Sequence, residues 1–297
     1  MDEPLLPLIP EHVLLPLDGS AFSAAALPTA RALAARFGAE LSTISVADDE
    51  EDATRLRRHA EETLADGPSG GGVEVAIGDD PAQTIAERRR ALGSCVVCMS
   101  TKGRGRIAGA LLGSVARAVL TQSNVPVVAV GPQADRPGAL VGRPRRRPAS
   151  WPEPLSVRHL VACVDGSQAS EAVLPEAARW ATLLEMRLSI LTVAEETVVA
   201  GGGPAPNRFG PPDPRAYVDG LADRWAEVVP GARPEVVADP IGVASGVRSY
   251  LAAEPSGLVA VTTHARSGLE RVRMGAAAAE IVSTSTAPSL VVPVLEA

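Results

Sequence analysis

The segment S-T-K-G-R-G-R-I-A-G-A-L-L-G-S, residues 100–114, combines the residue types that hold an oligophosphate. Such a ligand needs inward-pointing backbone N–H groups, glycines where the chain comes close, and the positive end of a helix. Gly103 offers the close approach, and Gly113 with Ser114 would open a helix. Positive charge comes from three nearby side chains, Lys102, Arg104 and Arg106. No Gly-Lys-Ser/Thr closes the loop, so it is not a Walker A motif, and a plain loop before a Gly-Ser helix start is the competing interpretation.

Aspartate follows a predicted strand twice, in the sequence D-G-S at Asp18 and at Asp165. Either carboxylate could serve as a base or a metal ligand, but an aspartate in such a turn commonly orders the backbone through its own side chain. The sequence has no nucleophile elbow, and no carboxylate pair can be placed beside the loop. These features favour ligand binding over catalysis.

Cysteine and histidine give no support for redox or metal chemistry. Cys95 and Cys98 have C-x-x-C spacing inside an apolar run, where residues three apart point to opposite faces of a buried strand. With Cys163 they form no even disulfide framework, which fits a reducing compartment. The four histidines lack the spacing of metal ligands; they are His12, His59, His159 and His264.

An internal repeat organises the chain. The thirty residues from Asp18 share 13 identities with those from Asp165, at a constant offset of 147. The segments beginning at Ser100 and Thr262 align at an offset of 162. The difference of 15 residues is assigned to the Gly- and Pro-rich segment Val198–Pro214. Residues 131–154, rich in proline and arginine, are predicted to be an exposed linker.

Predicted strands and helices alternate within each repeat. In the first repeat we expect strands at residues 12–17, 40–46, 73–77, 95–99 and 125–130, and helices at 23–37, 51–65, 81–92 and 113–122. Apolar strands joined by helices indicate an α/β fold, a doubly wound sheet of five parallel strands with helices on both faces. Ligands of such sheets bind beyond the carboxyl ends of the strands. The turn at Asp18 follows strand one and the loop at Ser100 follows strand four, so we expect them to meet at one site.

Length and charge set the broad class of the protein. A chain of 297 residues with 46% hydrophobic content is long enough for two domains. Its net charge of −7 argues against general binding to nucleic acid or to a membrane surface. The acidic opening is unlike a signal peptide, and no apolar run reaches the ~18 residues that a membrane span needs. We therefore expect a cytoplasmic location. The basic cluster R-P-R-R-R-P, residues 143–148, leaves a local anionic partner open, although solvated linker arginines are the simpler interpretation.

The two repeats resemble a tandem-domain universal stress protein. The resemblance rests on the endings of the first strands, V-L-L-P-L-D-G-S and L-V-A-C-V-D-G-S, and on the closing segments L-L-G-S-V-A-R-A-V-L-T-Q-S-N-V-P-V-V-A-V and M-G-A-A-A-A-E-I-V-S-T-S-T-A-P-S-L-V-V. It covers residues 11–131 and 157–295. It implies two Rossmann-like domains of the adenine nucleotide alpha hydrolase-like type: domain 1 at residues 1–131, a linker at 132–156 and domain 2 at 157–297.

The ATP-binding branch of that family is marked by G-x2-G-x9-G-[S/T], so the resemblance implies ATP as the ligand and leaves an accompanying Mg²⁺ open. Domain 1 matches the branch in its turn, in the strand-two valine whose backbone pairs with adenine, and in most of the loop. The implied residues are Asp18, Gly19, Val46, Ser100, Lys102, Gly103, Arg104, Gly113 and Ser114. Among them Ser100 replaces the first loop glycine, where a left-handed backbone would cost about 1 kcal/mol.

Domain 2 departs further from the branch. Three matching positions remain, Asp165, Val193 and Gly275. Thr262 and Ala265 stand at the two loop glycines, and Ala276 replaces the hydroxyl-bearing residue. If Gly103 adopts a left-handed backbone, Ala265 could adopt the same conformation only at a cost in free energy. We therefore expect the main adenine-nucleotide site in domain 1 and a degenerate one in domain 2.

The resulting hypothesis is a nucleotide-binding stress-response regulator or switch rather than an enzyme. A slow ATPase and a scaffold that binds no nucleotide remain as alternatives, whereas a nucleotidyl-transfer enzyme would need a substrate signature that we do not find. In this family the last strands of two domains pair antiparallel, so V-P-V-V-A-V and A-P-S-L-V-V predict an intramolecular pseudo-dimer of the domains that covers two sheet edges. The resemblance leaves a homodimer of two chains open.

Overall fold

The computed structural model describes residues 9–65, 72–103, 112–134, 155, 157–194, 210–263 and 274–294. The strands of domain 1 are β1 (His12–Pro16), β2 (Glu40–Ala47), β3 (Val73–Ile77), β4 (Cys95–Ser100) and β5 (Val127–Val130). Its helices are α1 (Leu27–Phe37), α2 (Glu50–Leu64), α3 (Pro81–Ala91) and α4 (Ser114–Gln122), with a 3₁₀ turn at Ser23–Ala26 before α1. The predicted elements are present, but α4 begins one residue late because Gly113 is its N-cap rather than part of the helix.

Domain 2 repeats this order. Its strands are β6 (His159–Cys163), β7 (Arg187–Ala194), β8 (Arg233–Ala238), β9 (Leu258–Thr263) and β10 (Ser289–Pro293). Its helices are α5 (Gln168–Glu171), α6 (Val173–Leu183), α7 (Pro214–Trp225), α8 (Val243–Ala253) and α9 (Ala276–Thr284). Most of the predicted insertion lies outside the described residues. Its last residue, Pro214, is the first residue of α7, and Asp213 caps that helix by accepting from Ala216 N–H at 3.0 Å.

One sheet of ten strands runs through the described part of the chain, in the order β3-β2-β1-β4-β5-β10-β9-β6-β7-β8. Each half of this order is a set of five parallel strands, and the second half mirrors the first. The doubly wound α/β fold predicted from the alternating pattern is therefore confirmed. The first strand of each domain lies inside its sheet, so the turn that follows it faces the carboxyl end of the neighbouring β4 or β9.

The halves of the sheet are joined by an antiparallel pair, β5 with β10, in which Val128 lies opposite Leu290. The chain leaves β5 through Gly131, where an added Cβ would lie 2.5 Å from the carbonyl oxygen of Val282 in α9. On the other face of the sheet the rings of Phe37 and Trp180 meet edge to face at 5.4 Å. Backbone and side chains of the two domains thus pack directly against each other.

The strands are apolar on both sides because helices cover both faces of the sheet. Val13, Leu14 and Leu15 are consecutive and fully buried. Each of the two apolar layers includes residues from both domains. Ala134 and Leu155, near the ends of the predicted linker, are also buried. Those two residues pack against the core, whereas the whole linker was expected to be exposed. Most of the linker lies outside the described residues.

The cysteines serve the interior of the sheet. Cys95 and Cys98 lie on β4, and both are free, as is Cys163. Burial raises the pKa of the Cys95 thiol to about 11 and that of Cys163 to about 12, so neither is poised as a thiolate. No helix in the described part of the chain has the length and apolar character of a membrane span.

Candidate functional site

The turn after β1 is ordered by its aspartate. Asp18 Oδ1 accepts a hydrogen bond from Ser20 N–H at 2.9 Å, and the Asp18 N–H donates to Ser23 Oγ at 3.2 Å. Ser23 in turn donates its hydroxyl to the Ser20 carbonyl at 2.9 Å. Gly19 takes the left-handed conformation, with φ of 78°, that this tight turn requires. The turn is thus fixed by its own side chains before any ligand is considered.

Asp18 and Gly103 meet at the carboxyl edge of the sheet, as the positions of their strands predict. A Cβ added to Gly103 would overlap Asp18 Oδ2 and lie 3.3 Å from its Cγ. Gly103 is not among the residues with positive φ, so it is needed for space and not for a left-handed backbone. Ser100 ends β4 with ordinary strand geometry, so the expected strain at that position is absent. Its hydroxyl accepts from Lys102 N–H at 3.3 Å.

The start of α4 lies across the base of the loop. Gly113 N–H donates to the Thr101 carbonyl at 2.8 Å, and a Cβ on Gly113 would be 3.9 Å from Gly103 N. No side chain caps α4 at Gly113, whereas Asp49 caps α2 and Asp80 caps α3. The N–H groups of the first turn of α4 therefore have no side-chain acceptor at the cap position. Ser114, the first residue of the helix, is exposed there. Arg104 and Arg106 lie outside the described residues.

The far side of the site in domain 1 is formed by β2 and β3. Val46 is partly exposed and pairs with Ala76 in the sheet. Its Cγ1 lies 3.9 Å from the position of a Cβ on Gly78, which directly follows β3. The absence of a side chain at Gly78 leaves the edge of Val46 accessible. Gly78 was not among the predicted site residues, although a glycine between a strand and an Asp-Pro helix start is a recognisable signal.

Domain 2 reproduces the aspartate turn. Asp165 Oδ1 accepts from Ser167 N–H at 3.0 Å, and Asp165 N–H donates to Ser170 Oγ at 3.0 Å. Ser170 donates to the Ser167 carbonyl at 2.9 Å, as Ser23 does to Ser20. Gly166 has a φ of 86°. The turn is therefore a feature of the fold that both repeats share.

The loop of domain 2 is described only at its two ends. Thr262 is buried within β9, opposite Val292 of β10. Gly275 is the N-cap of α9 and, like Gly113, offers no capping side chain, while Ala276 stands where domain 1 has Ser114. Ala265 and His264 lie outside the described residues. The start of α9 thus retains its backbone N–H donors but lacks the hydroxyl that Ser114 supplies in domain 1.

The edge of domain 2 formed by β7 and β8 is enclosed by protein. Val193 is 8% exposed, and its Cγ1 lies 2.6 Å from the position of a Cβ on Gly246, in α8. The sheet register places Asp239 where domain 1 has Gly78, since each directly follows the residue paired with β7 or β2. Its Oδ1 accepts from Ile241 N–H at 2.8 Å and Gly242 N–H at 3.0 Å. The Gly242 and Ile241 hydrogen bonds hold the pKa of Asp239 below its usual range. Val193 is therefore more enclosed than Val46.

A phosphate-bearing ligand fits the residues of domain 1. Such a ligand would meet the backbone at Gly103, which lies against the Asp18 carboxylate, and the start of α4, which has no side-chain cap. Among the described residues no group of three or more His, Cys, Asp or Glu side chains is arranged to hold a metal ion.

The sequence profile of the universal stress protein family matches residues 10–131 and 156–293. The chain therefore belongs to the universal stress protein family and carries two copies of its domain. Universal stress proteins of Mycobacterium tuberculosis and Mycobacterium bovis are each 32% identical to it over 136 residues. Each match covers 40% of this chain and 45% of the relative, so the chain spans less than half the length of these curated relatives in the match.

Solved structures agree in fold over nearly the whole chain. A universal stress protein from Archaeoglobus fulgidus has a TM-score of 0.62 and 17% identity, covering 95% of this chain and 98% of its own. A Pseudomonas aeruginosa protein ascribed to the same family has a TM-score of 0.62 and 15% identity, covering 96% and 94%. At these identities the likeness shows the fold of a tandem protein and no more.

Proposed function

We propose that the protein binds an adenine nucleotide in domain 1 and acts as a nucleotide-dependent regulator or switch in the stress response. The observation that carries this proposal is the meeting of the Asp18 turn, the Gly103 backbone and the uncapped start of α4 at one edge of the sheet. Family membership supports the regulatory role.

Each part of the site has a distinct physical task. The N–H groups at the start of α4 and the Ser114 hydroxyl would donate to phosphate oxygens, aided by the positive end of the helix dipole. Lys102 and Arg104 would add positive charge to the loop. The Asp18 carboxylate can accept hydrogen bonds from ribose hydroxyls, and the partly exposed edge of Val46 offers an apolar and backbone contact for the base.

The simplest test asks whether purified protein carries a nucleotide and which one it prefers. Acid extraction followed by chromatography should release an adenine nucleotide. Titration calorimetry of stripped protein should then give tighter binding for ATP than for AMP, because added phosphates engage α4 and the loop. Equal affinity for the two ligands would contradict the assigned role of α4. If neither extraction nor titration shows a nucleotide, the scaffold hypothesis replaces the proposal.

We also propose that the two domains form a permanent pseudo-dimer within the chain. The β5–β10 pair covers two sheet edges, and the contact of Phe37 with Trp180 joins the helices on one face. Limited proteolysis within residues 135–154 should give two fragments that elute together in gel filtration. Separation of the fragments in buffer would show that the linker, and not the interface, holds the halves together.

A further inference from the structure

We propose that domain 2 blocks its own equivalent of the nucleotide site with the residues before α7. This inference rests on the nucleotide site proposed for domain 1. Glu171 is the positioning residue: it holds α7 and the residues before it over the turn at Asp165 and Gly166. Pro211 then lies against the turn whose counterpart in domain 1 belongs to the proposed nucleotide site. The closure acts in addition to the loss of the loop glycines in domain 2.

The segment before α7 lies directly on the turn. A Cβ added to Gly166 would be 2.9 Å from Pro211 Cδ and 3.1 Å from Pro211 N. Such distances leave no room for a ligand atom between Pro211 and the backbone of Gly166. The turn of domain 2 is therefore covered on the side from which Pro211 approaches.

A hydrogen-bonded cluster holds α7 in that place. The Tyr217 hydroxyl donates to Glu171 Oε1 at 3.1 Å, and Arg224 Nη2 lies 3.6 Å from Glu171 Oε2. The backbone of Gly166 lies near the same hydroxyl. Burial, with the nearby Glu171 carboxylate, raises the pKa of Tyr217, so the phenol keeps the proton that it donates. One carboxylate thus connects two positions of α7 to the start of the domain.

Domain 1 has no counterpart of this carboxylate. Ala24 occupies the position 147 residues before Glu171 and brings no polar side chain. A hydrogen bond between α1 and α2 instead runs from Arg31 Nη2 to the Leu64 carbonyl at 3.0 Å, at the last residue of α2. The carboxylate that holds α7 in domain 2 therefore has no equivalent at this position of domain 1.

The first experiment measures the closure without any ligand. In hydrogen–deuterium exchange of the full chain, the peptide containing Gly166–Ser170 should exchange about tenfold faster in Glu171→Ala than in wild type. Tyr217→Phe, which keeps the ring and loses only the hydroxyl, should give a smaller acceleration. Asp219→Ala is the matched control, because it removes an exposed ion pair with Arg215 from the same helix. Unchanged exchange in Glu171→Ala would overturn the proposal.

The second experiment asks whether the closure excludes nucleotide. ATP is titrated into Ala265→Gly/Ala276→Ser, in which the loop of domain 2 is restored, with and without Glu171→Ala. We expect a second bound nucleotide only when Glu171 is also replaced. A second nucleotide with Glu171 intact, or none in the combined variant, would show that the closure does not decide binding. If domain 1 itself binds no ATP in these titrations, the proposed function fails, while the exchange experiment still decides whether Glu171 holds the turn covered.

Discussion

The two domains share one turn and differ in what surrounds it. Asp18 and Asp165 make the same backbone hydrogen bonds, with serines at equivalent positions. In domain 1 that turn faces Gly103 and the open start of α4, whereas in domain 2 Pro211 lies against it. The D-G-S motif is therefore explained by the fold alone, and its presence does not by itself indicate a ligand site. The residues around it make that distinction.

The largest effect should come from the joint that the domains share. In Gly131→Val the new side chain would collide with the backbone of Val282 across the β5–β10 joint, so we expect unfolding to become easier by about 3 kcal/mol. Urea unfolding measures this loss. Gly72→Val is the control, because nothing lies within 4 Å of its added Cβ. Equal stability of the two variants would mean that the domains do not depend on this close contact.

Nucleotide binding should depend on the loop of domain 1 and not on that of domain 2. Gly103→Val places a branched side chain against the Asp18 carboxylate and should weaken ATP binding about 100-fold, equivalent to about 3 kcal/mol. Ala265→Val, the equivalent change in domain 2, should leave the affinity as it is. Calorimetry on both variants tests the asymmetry, and a larger loss from the change in domain 2 would reverse the assignment of the main site.

A smaller effect is expected at the start of α4. Ser114→Ala removes one hydroxyl donor but leaves the backbone N–H groups, so ATP affinity should fall about fivefold, or about 1 kcal/mol. Thr121→Ala, in the last turn of the same helix, serves as the control. A loss as large as that expected for Gly103→Val would show that the side chain, and not the helix backbone, carries the phosphate contact.

The histidines that begin β1 and β6 have different neighbours. His12 lies near Glu40, whereas His159 is buried, contacts Ser189 and Ser256, and faces Arg187. Tyr250 packs edge-on to its ring, and Glu254 and Arg233 also face the group. Burial and Arg187 lower the pKa of His159, so the neutral imidazole is the native form.

Lowering the pH should therefore destabilise domain 2 through protonation of His159. Because the unfolded chain binds the proton more readily than the folded one, His159 makes stability fall as pH drops below about 6.5, by at most about 1.4 kcal/mol per pH unit. In His159→Gln the urea-unfolding free energy should change less steeply between pH 7 and pH 5 than in wild type. An identical slope would show that His159 does not titrate between the two states.

The local sequence pattern was sufficient to predict the strands and helices of domain 1. The strand at residues 73–77 was predicted to the residue, and most other boundaries within one or two, because apolar runs and helix starts depend on near neighbours in sequence. Whether Ser100 would need a left-handed backbone could not be read from the sequence; it does not, because that residue continues β4. The burial of Ala134 and Leu155 at the linker ends was not predicted either, because a single apolar residue outside a strand or helix leaves no local pattern.

The sequence by itself determined the duplication, the order of strands and helices, and the placing of the Asp18 turn and the Ser100 loop at the same edge of the sheet. Parallel topology is enough for that, since strand ends meet wherever neighbouring strands run the same way. Only the tertiary structure decided that Gly103 is needed for space, that Asp239 fills the position of Gly78, and that Tyr217 reaches Glu171. These contacts join residues distant in the chain, 46 positions apart in the last case, and their side-chain distances are set by packing, which periodicity and composition do not encode.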